Sequence, residues 1–559
     1  MKNSFRESMR LLHTWSGVIV GWLLFAIFVT GTSAYYRDEI NLWMKPEFYK
    51  SQVSENTMDI AIQKAIESTK KSDNVKVTLP NSRSNVIAIQ AEKKEQEKTQ
   101  NNMKRKRTPS IYYDATSGEL IKETTKTAGG NFLYRFHFEL YGIPKSIGRW
   151  IVGIATMFMF VAIITGIIIH KKIFKDIFTF RPKNNTRGWM DAHILPAVAV
   201  LPFLIMITYS GLILFNNVMF PYAMKAYYGD NFREYRQDIS RVYAQNDKKT
   251  SNMNENKKDV KENRKDERQN KKERREKDPE FNTNKQHKMI DKDISIEGLS
   301  TIINKSEKIW PENIGGFAII KNEKEVLIEV TPKDPSSLFS SKGIQELIVF
   351  NAKTSKIVKE VNPPILDSIT LNTNIVLRSL HQAKFADSTL RVIFFLAGIL
   401  GTVVAGTGLI LWVEKRKKKN QKEKSFGFWL VEKLNLGTIT GIFIAIAIFF
   451  IANRFIIVDE NQRKSVEISI FFITWLLTYI YAFIRNTSKA WKELLLLTSI
   501  LFISLPILNA IFIFDNFVEF FNRDNIFIYF DIVCIFTGLI FVLIRFISIR
   551  IEKRKGVRK

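Results

Sequence analysis

The amino-acid sequence predicts an all-α polytopic membrane bundle of about eight transmembrane helices, the first four arranged as two repeats, with two small α+β domains outside the membrane. Three observations predict it. Eight runs almost free of charge recur along the 559 residues, each close to the roughly 20 residues a helix needs to cross about 30 Å of hydrocarbon. The short loops between them alternate between strongly basic and mixed or acidic. Histidine and glycine landmarks of one segment also recur in the next at matching spacings. The mean hydropathy of −0.07 hides all this, because it averages apolar runs with highly charged segments.

In chain order, residues 1–36 form the first span; its run at 14–36 is too long for a cleaved signal and has no following cleavage site. Residues 37–145 form an outside domain. It holds a helix near 58–69, alternating strands in "VKVTL" and "NVIAIQA", and a strand, turn and strand in "YYDATSGELIKE" (112–123). Span 2 occupies 146–170 (run 150–169), and a basic loop follows at 171–190. Span 3 occupies 191–217, within a run at 194–224 that contains Pro196 and Pro202. The second outside domain, 218–388, repeats the first: a helix near 295–307, strands "GFAII" and "EVLIEV", then "VFNAKTSKIVKE" (349–360). It is interrupted at 245–288 by a basic linker with almost no apolar residues, which cannot bury a core and is expected to be disordered. Span 4 occupies 389–413 (run 392–413), a basic loop 414–433, and four further spans 434–548, with runs at 434–453, 468–484, 494–514 and 525–544. The last run carries Asp531. A basic tail at 549–559 closes the chain.

Lysine and arginine cluster in "KKIFKDIFTFRPKNNTRG" (171–188), "EKRKKKNQKEK" (414–424), "RNTSKAWK" (485–492) and the tail. Basic short loops stay inside, so both termini are expected in the cytoplasm and the two large loops outside. The formal net charge of +28 suggests nucleic acid, yet much of it lies in these inside loops, where anchoring against anionic lipid accounts for it. No nucleic-acid partner is expected. The one cysteine, Cys534, falls within the last span; a lone thiol excludes disulfides, cysteine-ligated zinc and iron–sulfur clusters within a single chain.

Six histidines are present, and five stand at span ends: His13, His137, His170, His193 and His381; His287 lies in the linker. His13 precedes Gly31, and His193 precedes Gly211, by the same 18 residues. His137 precedes Gly166 by 29 and His381 precedes Gly408 by 27. A single histidine at a helix end reads as an interfacial aromatic or a helix-terminal cation. Repeat-related pairs read differently. A pseudo-two-fold axis along the membrane normal sets His13 opposite His193 at the inner face and His137 opposite His381 at the outer face. Two opposed imidazoles suit the axial positions of a b-type haem iron. Zinc wants three or four ligands at one centre, and carboxylates are scarce in these spans. His13, Gly17 and Gly21 recur at i, i+4 and i+8, a smooth helix face that a flat ligand could use. Gly17 and Gly21 also form a GxxxG pair, which helix packing explains equally well.

The stretches "LHTWSGVIVGWLLFAIFVTGT" (12–32), "FLYRFHFELYGIP" (132–144), "IIIHKKIFKDIFTFRP" (167–182), "DAHILPAVAVLPFLIMITYSGL" (191–212) and "LHQAKFADSTLRVIFFLAGILGTVVAGTGLILW" (380–412) resemble the PepSY-associated transmembrane proteins over about residues 1–416. The resemblance implies a multi-pass protein of the bacterial inner membrane linked to iron uptake. It implies PepSY-like periplasmic domains and, as in some members, haem-dependent reduction of ferric siderophores. The family pattern includes His170, so the inner iron has three candidate ligands, His13, His170 and His193. The repeat favours His13 with His193, since Trp412 stands where a partner of His170 would fall.

The expected function is a membrane oxidoreductase with two b-type haems. It would pass electrons from an inner donor, a quinol or a protein, to a periplasmic Fe(III)-siderophore or similar ferric chelate. No nucleotide-binding glycine loop appears in the sequence, and the cofactor would carry the chemistry, with no catalytic residue apart from the haem ligands. The rival readings are a non-enzymatic PepSY binding or regulatory protein, and a transporter. Spans 1–4 carry almost no charge and no paired helix breaks, which counts against transport.

Overall fold

A computed structural model describes residues 4–93, 109–122, 124–170, 186–229, 231, 234, 295–322, 325–333, 346–361, 369–423, 425–513 and 525–556. The linker at 245–288 and residues 171–185 of the first basic loop lie outside the described residues.

Seven helices or helix pairs are long and apolar enough to cross a membrane, and a bent pair makes an eighth span if taken as one. In the first half these are α1 (Phe5–Ala34), α5 (Lys145–Ile169), the bent pair α6 (Thr186–Ala199) and α7 (Leu201–Leu214), and α10 (Ser388–Glu423). The C-terminal part adds α11 (Phe426–Ile439) running into α12 (Gly441–Phe455), then α13 (Glu460–Ile484), α14 (Thr487–Phe512) and α15 (Asn525–Gly556). The expected eight spans are therefore matched when the bent pair counts as one. The bend between α6 and α7 is 71° and falls at Val200, whose φ of −113° and ψ of 20° leave the helical region. Pro202, at the start of α7, has no N–H for the Val198 carbonyl, and Pro196 sits inside α6.

Helix α1 packs between α5 and α10, α6 packs on α10, and α7 packs on α5. Spans 1 and 3 thus occupy opposite corners of a four-span bundle. The C-terminal spans form a second bundle against it, with α11 touching α1 and α10. An aromatic core joins the two: Phe25, Trp43, Phe132, Phe449, Phe471 and Phe527 are all buried in one cluster. The outward faces are apolar, for example Ile473, Leu476 and Ile480 on α13 and Phe536, Leu539 and Leu543 on α15, and they contact lipid.

The two large loops meet in one sheet. The first supplies α3 (Thr57–Thr69), β1 (Ser72–Thr78), β2 (Ile87–Lys93), β3 (Ile111–Tyr113) and β4 (Leu120–Ile121). The second supplies α8 (Ile296–Ile309), β5 (Ile314–Lys321), β6 (Val326–Pro332), β7 (Leu347–Asn351) and β8 (Ile357–Val361). The strand order is β4-β3-β2-β1-β5-β6-β7-β8, antiparallel throughout, with Val75 opposite Ile319 and Val77 opposite Phe317 at the junction. Separate small domains were expected. Pairing β1 with β5 instead removes two exposed strand edges at once. Gly316 permits the approach, since a Cβ there would stand 2.3 Å from the Val77 carbonyl oxygen. Helices α3 and α8 cover one face of the sheet, burying Ile62, Val77, Ile89, Leu299, Phe317 and Phe350.

Two more helices return each loop to the bundle: α4 (Gly129–Glu139) and α9 (Ile369–Gln382). Each carries a histidine in its last turn, His137 and His381. The short α2 (Arg37–Trp43) follows α1 and packs on α4.

Candidate functional site

The histidines seat on glycines of neighbouring spans by one rule, used four times. In each case a Thr-Gly or Ser-Gly pair lies on a helix. The hydroxyl of Thr30, Thr165, Ser210 or Thr407 donates back to the carbonyl four residues earlier in its own helix, which leaves the glycine as a smooth notch. A Cβ at Gly166 would lie 3.3 Å from Cε1 of His13, and one at Gly408 would lie 3.2 Å from Cε1 of His193. At Gly31 it would lie 2.5 Å from Cε1 of His137, and at Gly211 3.3 Å from Cε1 of His381.

In each notch the imidazole is fixed by its Nδ1. His13 donates to the Ala162 carbonyl at 2.8 Å, His137 to that of Ile27 at 2.8 Å, and His193 to that of Val404 at 3.0 Å. Each acceptor stands four residues before the notch glycine, and a carbonyl oxygen has a second lone pair to offer. His381 Nδ1 lies 2.9 Å from Ser210 Oγ. That hydroxyl spends its own proton on Met206, so it accepts. A carbonyl cannot donate, so Nδ1 carries the proton and Nε2 keeps its lone pair, the arrangement found behind metal-bound histidines.

The four rings form two pairs. His13 and His193 have centroids 6.3 Å apart with planes at 70°. His137 and His381 have centroids 6.2 Å apart with planes at 41°. Two metal–nitrogen bonds of about 2 Å each, plus half the width of two imidazoles, come to about 6 Å. Burial holds His137 below the ordinary imidazole range, against the hydrogen bond to Ile27. Burial, then the neighbouring His137, brings His381 down to about 3. Both are therefore neutral, the form that ligates metal. Among the described residues no three His, Cys, Asp or Glu side chains converge as a metal site, so each pair offers two imidazoles alone. A closed zinc site, with three or four protein ligands, does not fit that donor set.

The remaining candidates fall into different places. His170 caps the C-terminus of α5, where its N–H reaches the Gly166 carbonyl at 3.2 Å. Arg6 closes the same helix end through the Ile169 carbonyl at 2.7 Å. Gly17 faces open space, with nothing within 4 Å of a Cβ. Gly21 packs on α10, where a Cβ would stand 2.6 Å from Leu409 Cδ2, so it serves helix packing. His287 lies outside the described residues. The spacing that marked His13 with Gly31 joins the two ends of one span; the contact instead runs from His13 to Gly166 and from His137 to Gly31. The signal for it was the recurring Thr-Gly and Ser-Gly pairs.

No curated protein matches the chain. A family model described as PepSY-associated TM region matches residues 10–415, a stretch that contains all five span-end histidines and their four notch glycines and stops short of the C-terminal spans. With that match over more than half its length, this multi-pass membrane protein belongs to the PepSY-associated TM region family.

Proposed function

We propose that the protein is a b-type haem membrane oxidoreductase. It would hold one haem at the His13–His193 pair and one at the His137–His381 pair, and reduce a ferric chelate such as an Fe(III)-siderophore on the sheet side. The observation that carries this reading is the duplicated geometry: two imidazole pairs with centroids 6.3 and 6.2 Å apart, each ring pinned through Nδ1, which leaves the Nε2 lone pair to ligate. When bound, the haem supplies one-electron chemistry.

The chain's own residues hold, orient and insulate. His13, His193, His137 and His381 would hold the haem irons; the carbonyls of Ala162, Val404 and Ile27 and the Ser210 hydroxyl fix their tautomers. Within each half the histidines lean on spans of the same half, so each iron would be shared between the repeats on the pseudo-two-fold axis. From His13 to Gly31 the helix rises about 27 Å, which sets one pair near each face of the bilayer. The basic loops support a His13 end at the cytoplasmic face of a bacterial inner membrane, where a quinol or protein donor would deliver electrons. Each unit of one helix and four strands reads as a PepSY-like module, and the shared sheet would stand in the periplasm where the chelate arrives.

A visible spectrum and pyridine haemochrome assay on detergent-purified protein test the reading. Two non-covalent haems per chain are expected, and His137→Ala or His381→Ala should remove one of them and stop chelate reduction. Haem-free protein after haem-replete expression would overturn it.

A further inference from the structure

The C-terminal bundle lies outside the matched family region, yet it reaches the sheet-end histidine pair through one carboxylate. Helix α4 carries His137 and is only 11 residues long, too short to be stable alone. Its N-cap position is Ala128, which has no side-chain acceptor. The missing acceptor comes from α13. Glu467 is fully buried, and its Oε2 accepts from the Ala128 N–H at 2.6 Å and from the Thr127 hydroxyl at 2.8 Å. Its Oε1 accepts from Asn453 Nδ2 at 2.8 Å, with Arg463 Nε 3.6 Å away. A buried carboxylate this fully engaged acts as a helix cap delivered from another bundle.

The same bundle grips the rest of α4 and its neighbour α2. Phe132 packs on Phe471 and Phe449 at 5.0 and 5.4 Å, and Phe136 packs on Phe472 at 5.6 Å. Arg454 donates to the Trp43 carbonyl and the Tyr49 hydroxyl, both at 2.8 Å, and Asp531 accepts from Trp43 Nε1 at 3.0 Å. Helix α4 is thus fixed at one end by Glu467 and at the other by the bond from His137 to Ile27.

We infer that Glu467 is a positioning residue: through the α4 N-terminus it sets His137 opposite His381, and the C-terminal spans serve as the clamp for that pair. The consequence for iron rests on the haem reading above; the clamp itself does not. The test uses the full chain in detergent. Amide hydrogen exchange is followed over residues 128–137, with the α1 and α5 amides as internal reference, in the wild type, Glu467→Ala, Glu467→Gln and Thr127→Val. Withdrawing a charged acceptor from a buried amide should speed exchange at 128–137 at least about tenfold in Glu467→Ala, with less effect in Glu467→Gln, which keeps one acceptor oxygen, and with α1 unchanged. In haem-loaded protein the electron paramagnetic resonance signal of one haem should shift and that of the other should stay. Unchanged exchange at 128–137 overturns the inference, and so does equal acceleration in all helices, which is a general loss of stability. If Glu467→Ala does not fold, Glu467→Gln decides in the same way, and Thr127→Val, which withdraws both a donor to Glu467 and the acceptor of the Gly129 N–H, should speed exchange at the first amides of α4. If the wild type binds no haem, the proposed function fails, and the exchange data still decide the clamp.

Discussion

Gly31 leaves so little room beside His137 that a methyl group there would come within 2.5 Å of both Nδ1 and Cε1. Gly31→Ala should therefore push the imidazole off the Ile27 carbonyl. The expected outcome is a haem-to-protein ratio reduced by half, the His13–His193 signal intact, and about 1–3 kcal/mol lost from overpacking, read by haemochrome assay and thermal unfolding. Gly17→Ala, with open space beside it, should leave the fold unchanged, whereas Gly17→Leu should lower haem at the His13 site if that face lines the flat ligand. His170→Ala should keep both haems, because His13 and His193 already form a pair; losing the haem at that end would make His170 the ligand. The histidines were legible at this scale because so few are present and they recur at fixed spacings. Their seats were not, since 18 residues of helix separate His13 from Gly31 by about 27 Å, and only packing shows which neighbouring span supplies the notch.

Secondary-structure elements followed the sequence closely where one period dominates. The helices expected near 58–69 and 295–307 appear as Thr57–Thr69 and Ile296–Ile309, and Ser295 caps the second by accepting from the Gly298 N–H at 3.0 Å. The junction of β1 with β5 was not legible, since strand patterning says which face is buried and nothing about which strand lies alongside. It can be checked with a disulfide. Lys76 and Ala318 are paired residues in that junction, and opposed antiparallel residues stand about 4.5–5.5 Å apart at Cα, within disulfide range. Lys76→Cys with Ala318→Cys should cross-link under mild oxidation, seen as a mobility shift on non-reducing gels, and neither single variant should. The buried Cys534 should not compete. Absence of the cross-link would mean that the halves carry separate sheets.

Across the whole molecule, two bundles share the membrane, and a buried ion pair helps to bind the halves of the first: Arg391 at the start of α10 meets Glu39 of α2 at 2.5 Å, both side chains under a tenth exposed. Breaking such a pair from one side strands a buried charge, so Arg391→Met should cost about 3–5 kcal/mol, measured as a fall in thermal stability in detergent. Glu39→Gln combined with Arg391→Met should recover much of it. The orientation proposed from the basic loops predicts that reporter fusions after residues 183, 420 and 559 report cytoplasm, and fusions after 100 and 330 report periplasm. A periplasmic C-terminus would reverse the assignment of the C-terminal spans.

The sequence by itself located the apolar runs of the candidate spans, because an uncharged run of about 20 residues has one stable home in a bilayer, but not the helix ends: α10 and α11 run through most of residues 414–433, which it reads as a loop. It also determined the two-fold repetition of the histidines, which is a matter of counting. The tertiary structure decided what counting cannot reach. It decided that the two outside segments share a sheet, because backbone edges pair without a side-chain code. It decided that each imidazole rests in the notch of a neighbouring span, because that contact joins residues such as His13 and Ala162, far apart in the chain. It decided as well that Glu467, an ordinary acidic residue in the sequence, caps a helix more than three hundred residues before it. A buried carboxylate is compelled to find donors wherever the fold brings them.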